Sequence, residues 1–173
     1  MNRRDLETLL LTLESTPALL ARAAARVSEE QAREPGPVGT FALIEHAWHL
    51  ADLEREGYGV RIRRLLTEEE PMLSNFDGER VARERAYRTR DLGEGLAAFT
   101  TAREANLARL RTLSPSDWKR QGFQESVGRI ALADVPRMMA EHDRIHDQEI
   151  AELIAHLQGA PHVERRSPKS AVA

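Results

Sequence analysis

The chain has 173 residues, 41% hydrophobic and 31% charged, with no cysteine and a formal net charge of −3. That balance fits one soluble domain with a proper core and argues against a disordered chain. The missing cysteines exclude disulfides, thiolate metal sites and a cysteine nucleophile, and the slightly acidic charge gives no electrostatic reason to expect nucleic acid. No run of about 18 uncharged apolar residues occurs, so neither a membrane span nor a signal peptide is expected, and a cytoplasmic location is.

Aromatic residues make up only 5% of the chain, and β-branched runs are nearly missing, so strands have little to build from. Helical periodicity recurs instead. Leu6, Leu9, Leu10, Leu13, Leu20 and Val27 form a first apolar stripe, in which Pro17 predicts a bend or break one turn earlier. Glu34-Pro35-Gly36-Pro37 marks a loop. A second helix is expected over residues 41–66 with Thr40 as N-cap, about 40 Å long. After a connector at 71–78 and a short helical stretch at 79–87, Asp91 and Glu94 form a capping pair that opens a third long helix to about residue 113. Ser114-Pro115 predicts a short helix, and Gly122 and Gly128 flank an irregular segment. The last long helix spans about 132–158 and is closed by Gly159 and Pro161. The pattern is all-α, a four-helix bundle with short extra helices in its connections. Residues 1–158 are expected to form the domain and 159–173 a polar tail.

Histidine placement carries the chemistry. His142 and His146 are four apart, so their imidazoles share one helical face about one turn apart, a common way for a helix to offer two nitrogens to one metal ion. His49, in mid-helix among apolar neighbours, is the choice for a third ligand; a hydrogen-bonded core histidine is the alternative reading. His46 lies roughly 60° from His49 on the helical wheel and is not expected to reach the same point. His156 reads as solvated and His162 falls in the tail. Three imidazoles would leave positions open for water or substrate, as in a catalytic site. Asp52, one turn from His49, is a candidate to orient an imidazole, with exposure or an arginine pair as alternatives. Glu149, beside His146 on the wheel, is a candidate base, with a surface charge the simpler reading. His142-Asp143-Arg144-Ile145-His146 resembles the zinc-protease H-E-x-x-H, but aspartate replaces the glutamate base.

Three segments in this order resemble the DinB-like superfamily of YfiT-like metal-dependent hydrolases and thiol transferases. They are Glu45-His46-Ala47-Trp48-His49-Leu50-Ala51-Asp52-Leu53-Glu54, then Asp117-Trp118-Lys119-Arg120-Gln121-Gly122, and Ala140-Glu141-His142-Asp143-Arg144-Ile145-His146-Asp147-Gln148-Glu149-Ile150. The resemblance covers about residues 5–158. It implies a four-helix bundle, one divalent ion (zinc or nickel) on His49, His142 and His146, and a homodimer. It also implies a small-molecule substrate and favours transfer of a metal-activated low-molecular-weight thiol to an electrophile. Metal-dependent hydrolysis, or a non-catalytic metal-binding helical dimer linked to stress response, is the alternative. Gln124 and Ala131 depart from the family pattern, which often has His and Thr there.

Overall fold

The computed structural model describes residues 3–159, with the backbone alone for Arg3 and Val38. Most of the predicted tail, His162 included, lies outside the described residues. In chain order the helices are α1 (Arg3–Ala24), α2 (Leu43–Asp52), a π-helical turn (Leu53–Tyr58), α3 (Gly59–Thr67), α4 (Gly78–Glu84), α5 (Leu92–Arg111) and α6 (Val135–Leu157). α2, the π turn and α3 follow one another without interruption as a single rod, and this rod, α1, α5 and α6 make a four-helix bundle. α2 packs chiefly on α5, and α1 on α6 and α5. Among the described residues no helix is long and apolar enough to cross a membrane.

Several local expectations are corrected. The helix does not break at Pro17. Proline has no N–H for the carbonyl four residues back, which is that of Leu13. Arg103 Nη1 fills the gap by donating to the Leu13 carbonyl at 2.9 Å. Thr40 is not the cap of α2, because its hydroxyl donates to the Pro37 carbonyl of the preceding 3-10 turn. The helix starts at Leu43, where the Glu45 carboxylate accepts the Ala42 N–H at 2.9 Å. The Asp91–Glu94 pair does open α5, with the Asp91 carboxylate accepting the Glu94 N–H at 2.8 Å. The stretch at 79–87 divides into α4 and a 3-10 turn at Tyr87–Thr89. The segment after Ser114 yields only a 3-10 turn, Asp117–Lys119.

A three-stranded sheet was not foreseen. β1 (Met72–Leu73) runs parallel to β2 (Gln121–Gln124), which pairs antiparallel with β3 (Gly128–Ala131). Strands of two to four residues are too short to show an alternating pattern in sequence. The segment flanked by Gly122 and Gly128 is therefore a hairpin, and it covers one end of the bundle, where Leu73 and Ile130 join the core around Leu65.

The core is divided. One apolar block contains Leu10, Leu13, Tyr58, Ile62, Leu107 and Met139; the other contains Leu20, Leu50, Phe99, Ile150 and Leu153. Between them every rod contributes to a buried polar layer, with Thr16 from α1, Glu54 from the π turn, Arg103 and Asn106 from α5 and Asp143 from α6. Arg103 binds both Asp143 oxygens at 2.7 and 2.8 Å and approaches Glu54 Oε1 at 2.9 Å. Thr16 donates to Asp143 Oδ2 at 2.8 Å, and Asn106 donates to Glu54 Oε2 at 2.6 Å. Burial pulls the Arg103 pKa down, but the two carboxylates outweigh it and keep the guanidinium charged. The π turn lies at this level. It needs Gly59, because a Cβ there would stand 2.8 Å from the Glu54 carbonyl, the acceptor of the Gly59 N–H.

Candidate metal centre

His49 comes from α2 and His142 and His146 from α6, so the pair from one helix face meets the single histidine of the neighbouring rod. Their Nε2 atoms converge: His142 Nε2 lies 3.2 Å from His146 Nε2 and 3.4 Å from His49 Nε2. Nitrogens bound about 2.0–2.1 Å from a tetrahedral ion stand roughly 3.3–3.4 Å apart. The three imidazoles therefore match the donor spacing of a divalent ion, and they leave a fourth direction without a protein donor from this set. Burial, together with the neighbouring His146, holds His49 at about 3, against a weaker opposing pull from Asp52. Burial likewise pushes His142 well below its ordinary value, helped by His146 and His49. Both rings are thus neutral at physiological pH, the form that offers a lone pair to a cation.

Packing fixes the rings. Phe41 and Phe76 pack on His49 with ring centroids 5.4 and 5.9 Å away, and Tyr58 presents an edge contact to His142 at 6.3 Å. Behind His49 stands Gly78, the first residue of α4, where a Cβ would come within 2.3 Å of the imidazole Cε1. On the far side of His146, its Nδ1 lies 2.9 Å from His46 Nδ1 and 3.1 Å from Glu149 Oε2. With Nε2 of His146 turned to the cluster, a proton on its Nδ1 bonds to His46 or Glu149 and sets the tautomer. His46 then carries its own proton on Nε2, one of three imidazole nitrogens, with His49 Nδ1 and His142 Nδ1, that have no hydrogen-bond partner among the described residues.

His49, His142 and His146 thus come together, and His46 meets His146 from the opposite side rather than joining the three. Asp52 is fully buried but does not bond to His49. It accepts from Tyr87, Arg55 and, at 2.6 Å, Arg85. Those bonds hold its carboxyl below the usual range in spite of burial, the largest single influence, which acts upward. Glu149 touches the imidazole of His146 while remaining partly exposed. Asp143, between the two histidines of α6, serves the buried layer and is committed to Arg103. Sequence reading missed Glu54, Arg103 and Thr16. Their signal was a polar residue at a core position inside an apolar stripe, as in Leu50-x3-Glu54-x3-Tyr58 and Phe99-x3-Arg103-x3-Leu107.

Fold and site together define a four-helix bundle that gathers imidazoles from two adjoining rods into one cluster. The sequence matches the DinB superfamily over residues 12–150, and the chain belongs to that family. A Bacillus licheniformis protein provisionally named a metal-dependent hydrolase is 31% identical over 156 residues, spanning 90% of this chain and 86% of that protein. YfiT of Bacillus subtilis, which carries the same provisional name, is 28% identical over 142 residues, spanning 82% and 79%. The solved structure of YfiT, described as having an unusual four-helix bundle topology, superimposes with a TM-score of 0.83 at 25% identity. The match covers 93% of this chain and 91% of that one.

Proposed function

We propose that the chain is a metal-dependent enzyme that holds one divalent ion on His49, His142 and His146 and acts on a small electrophilic substrate. The observation that carries this reading is the convergence of three Nε2 atoms, two of them from buried histidines, at 3.2 and 3.4 Å separations. An all-imidazole set suits zinc or nickel. When bound, such an ion lowers the pKa of a coordinated water or thiol so that attack becomes feasible near neutral pH. The protein's own part is to keep His49 and His142 neutral by burial, to hold His146 from behind with His46 and Glu149, and to wall the cluster with Phe41, Phe76 and Tyr58. The names of the Bacillus relatives favour water as nucleophile. The thiol transferases of the family leave a low-molecular-weight thiol as the second reading.

Metal content by mass spectrometry of wild type and His142→Ala tests the centre. About one ion per chain in the wild type, lost in a variant that keeps its helical circular dichroism, is the expected result. A wild type that takes up no zinc or nickel on reconstitution overturns the reading. Turnover of an electrophilic ester with and without added thiol then separates the two nucleophiles.

A further inference from the structure

Arg61, on α3, is 2% exposed, and none of its three guanidinium nitrogens has a hydrogen-bond partner among the described residues. Buried cations are ordinarily paired, and a guanidinium stripped of water without a counter-charge is costly. The other buried arginine, Arg103, obeys that rule with two carboxylates and a carbonyl. The Arg61 guanidinium carbon lies 5.3 Å from the centre of the Tyr58 ring.

Beside Arg61 is a cavity of about 120 Å³, lined also by Gly57, Leu73, Asn75 and Phe76. The two other charged residues in its wall are already engaged. Glu56 binds Arg85 at 2.8 Å, and Arg64 binds Glu68 and the Met72 carbonyl. Arg61 is therefore the one wall cation left without a partner among the described residues. Two aromatic rings link this corner to the histidine cluster: Phe76 of the wall packs on His49, and Tyr58, the ring beside Arg61, meets His142 at its edge.

The geometry points to Arg61 as the anchor for a carboxylate on the molecule that the histidine centre acts on. The proposal rests on the metal-centre reading for what happens at the other end of that molecule. A guanidinium offers a planar fork that matches a carboxylate with two parallel hydrogen bonds. A space equal to about four waters admits a carboxylate and a short carbon stem and little more. Leu73 and Phe76 give one side of this mixed wall an apolar surface, which lowers the local dielectric beside the guanidinium and strengthens that contact.

The test is a titration of acetate against the thermal midpoint of the full chain, with chloride at equal ionic strength as control. It is run on protein as purified and again after chelation. Wild type is expected to show a saturable rise with acetate. Arg61→Met is expected to lose that rise, to melt higher than wild type without acetate because an unpaired charge is gone, and to keep its metal content. Arg61→Lys, which keeps the charge but not the fork, is expected to bind acetate about ten- to a hundredfold more weakly. No acetate effect in wild type, an equal effect in Arg61→Met, or protection by inorganic phosphate alone overturns the carboxylate assignment. If Arg61→Met fails to fold, equal acetate affinity in Arg61→Lys and wild type has the same force. Because the chelated protein is titrated too, loss of the metal-centre reading leaves this result readable on its own.

Discussion

Arg103→Met is the perturbation that reasoning about the buried layer most exposes to test. The substitution keeps the aliphatic bulk and removes the guanidinium. It leaves the Asp143 carboxylate with Thr16 alone, Glu54 with Asn106 alone, and the Leu13 carbonyl opposite Pro17 with no donor. Removing one partner from a buried ion pair costs about 3–5 kcal/mol, because the remaining charge is uncompensated. In a chain of this size that corresponds to a fall in Tm of roughly 6–20 °C. Urea unfolding followed by circular dichroism at pH 7 measures it. The same argument predicts that adding Glu54→Gln and Asp143→Asn to Arg103→Met recovers most of the loss, since no buried charge then remains. A cost below about 1 kcal/mol for Arg103→Met, the range of a solvent-screened surface pair, refutes the account. So does a triple variant no more stable than the single one.

Acid sensitivity follows from the histidines. His46 and His142 are held well below 6.5 and His49 at about 3, in each case first by burial. The unfolded chain takes up these protons below about pH 6.5 while the folded chain does not, so stability is full above that pH and falls beneath it. The slope reaches about 4 kcal/mol per pH unit for three protons, reduced by Glu54, whose pKa burial raises and which works in the opposite sense. Urea midpoints of chelated protein that stay flat between pH 7 and 5 contradict this. Gly78→Ala drives a methyl into the His49 imidazole and is expected to cost about 1–3 kcal/mol and to lower zinc retention in dialysis. Unchanged zinc retention means that α4 does not position His49.

The helices were legible because each repeats apolar residues over many turns, and the Asp91–Glu94 cap was legible because a cap is a contact between near neighbours. The sheet was not, since β1 and β2 are two and four residues long and lie 48 positions apart in sequence. Thr40 was misread for a similar reason: a hydroxyl has several local acceptors, and the Pro37 carbonyl took it. His142 and His146 announce a shared face by spacing alone. Nothing in the spacing of His46 and His49 says which of the two faces that pair with Nε2 and which supports it from behind.

Sequence alone determined the class of fold, the helices that carry His46, His49, His142 and His146, and the exclusion of thiolate chemistry, because periodicity and composition act locally and need no partner. Tertiary structure decided which polar residues lie in the core and with whom. Asp52 went to Tyr87 and three-residue and distant arginines, Asp143 to Arg103, and Arg61 to no protein partner among the described residues. The physical reason is that burial sets the cost of a charge, and burial depends on residues far away in the chain. A carboxylate one turn from a histidine is the same in sequence whether it faces that imidazole or, as Asp52 does, a phenol and two guanidinium groups.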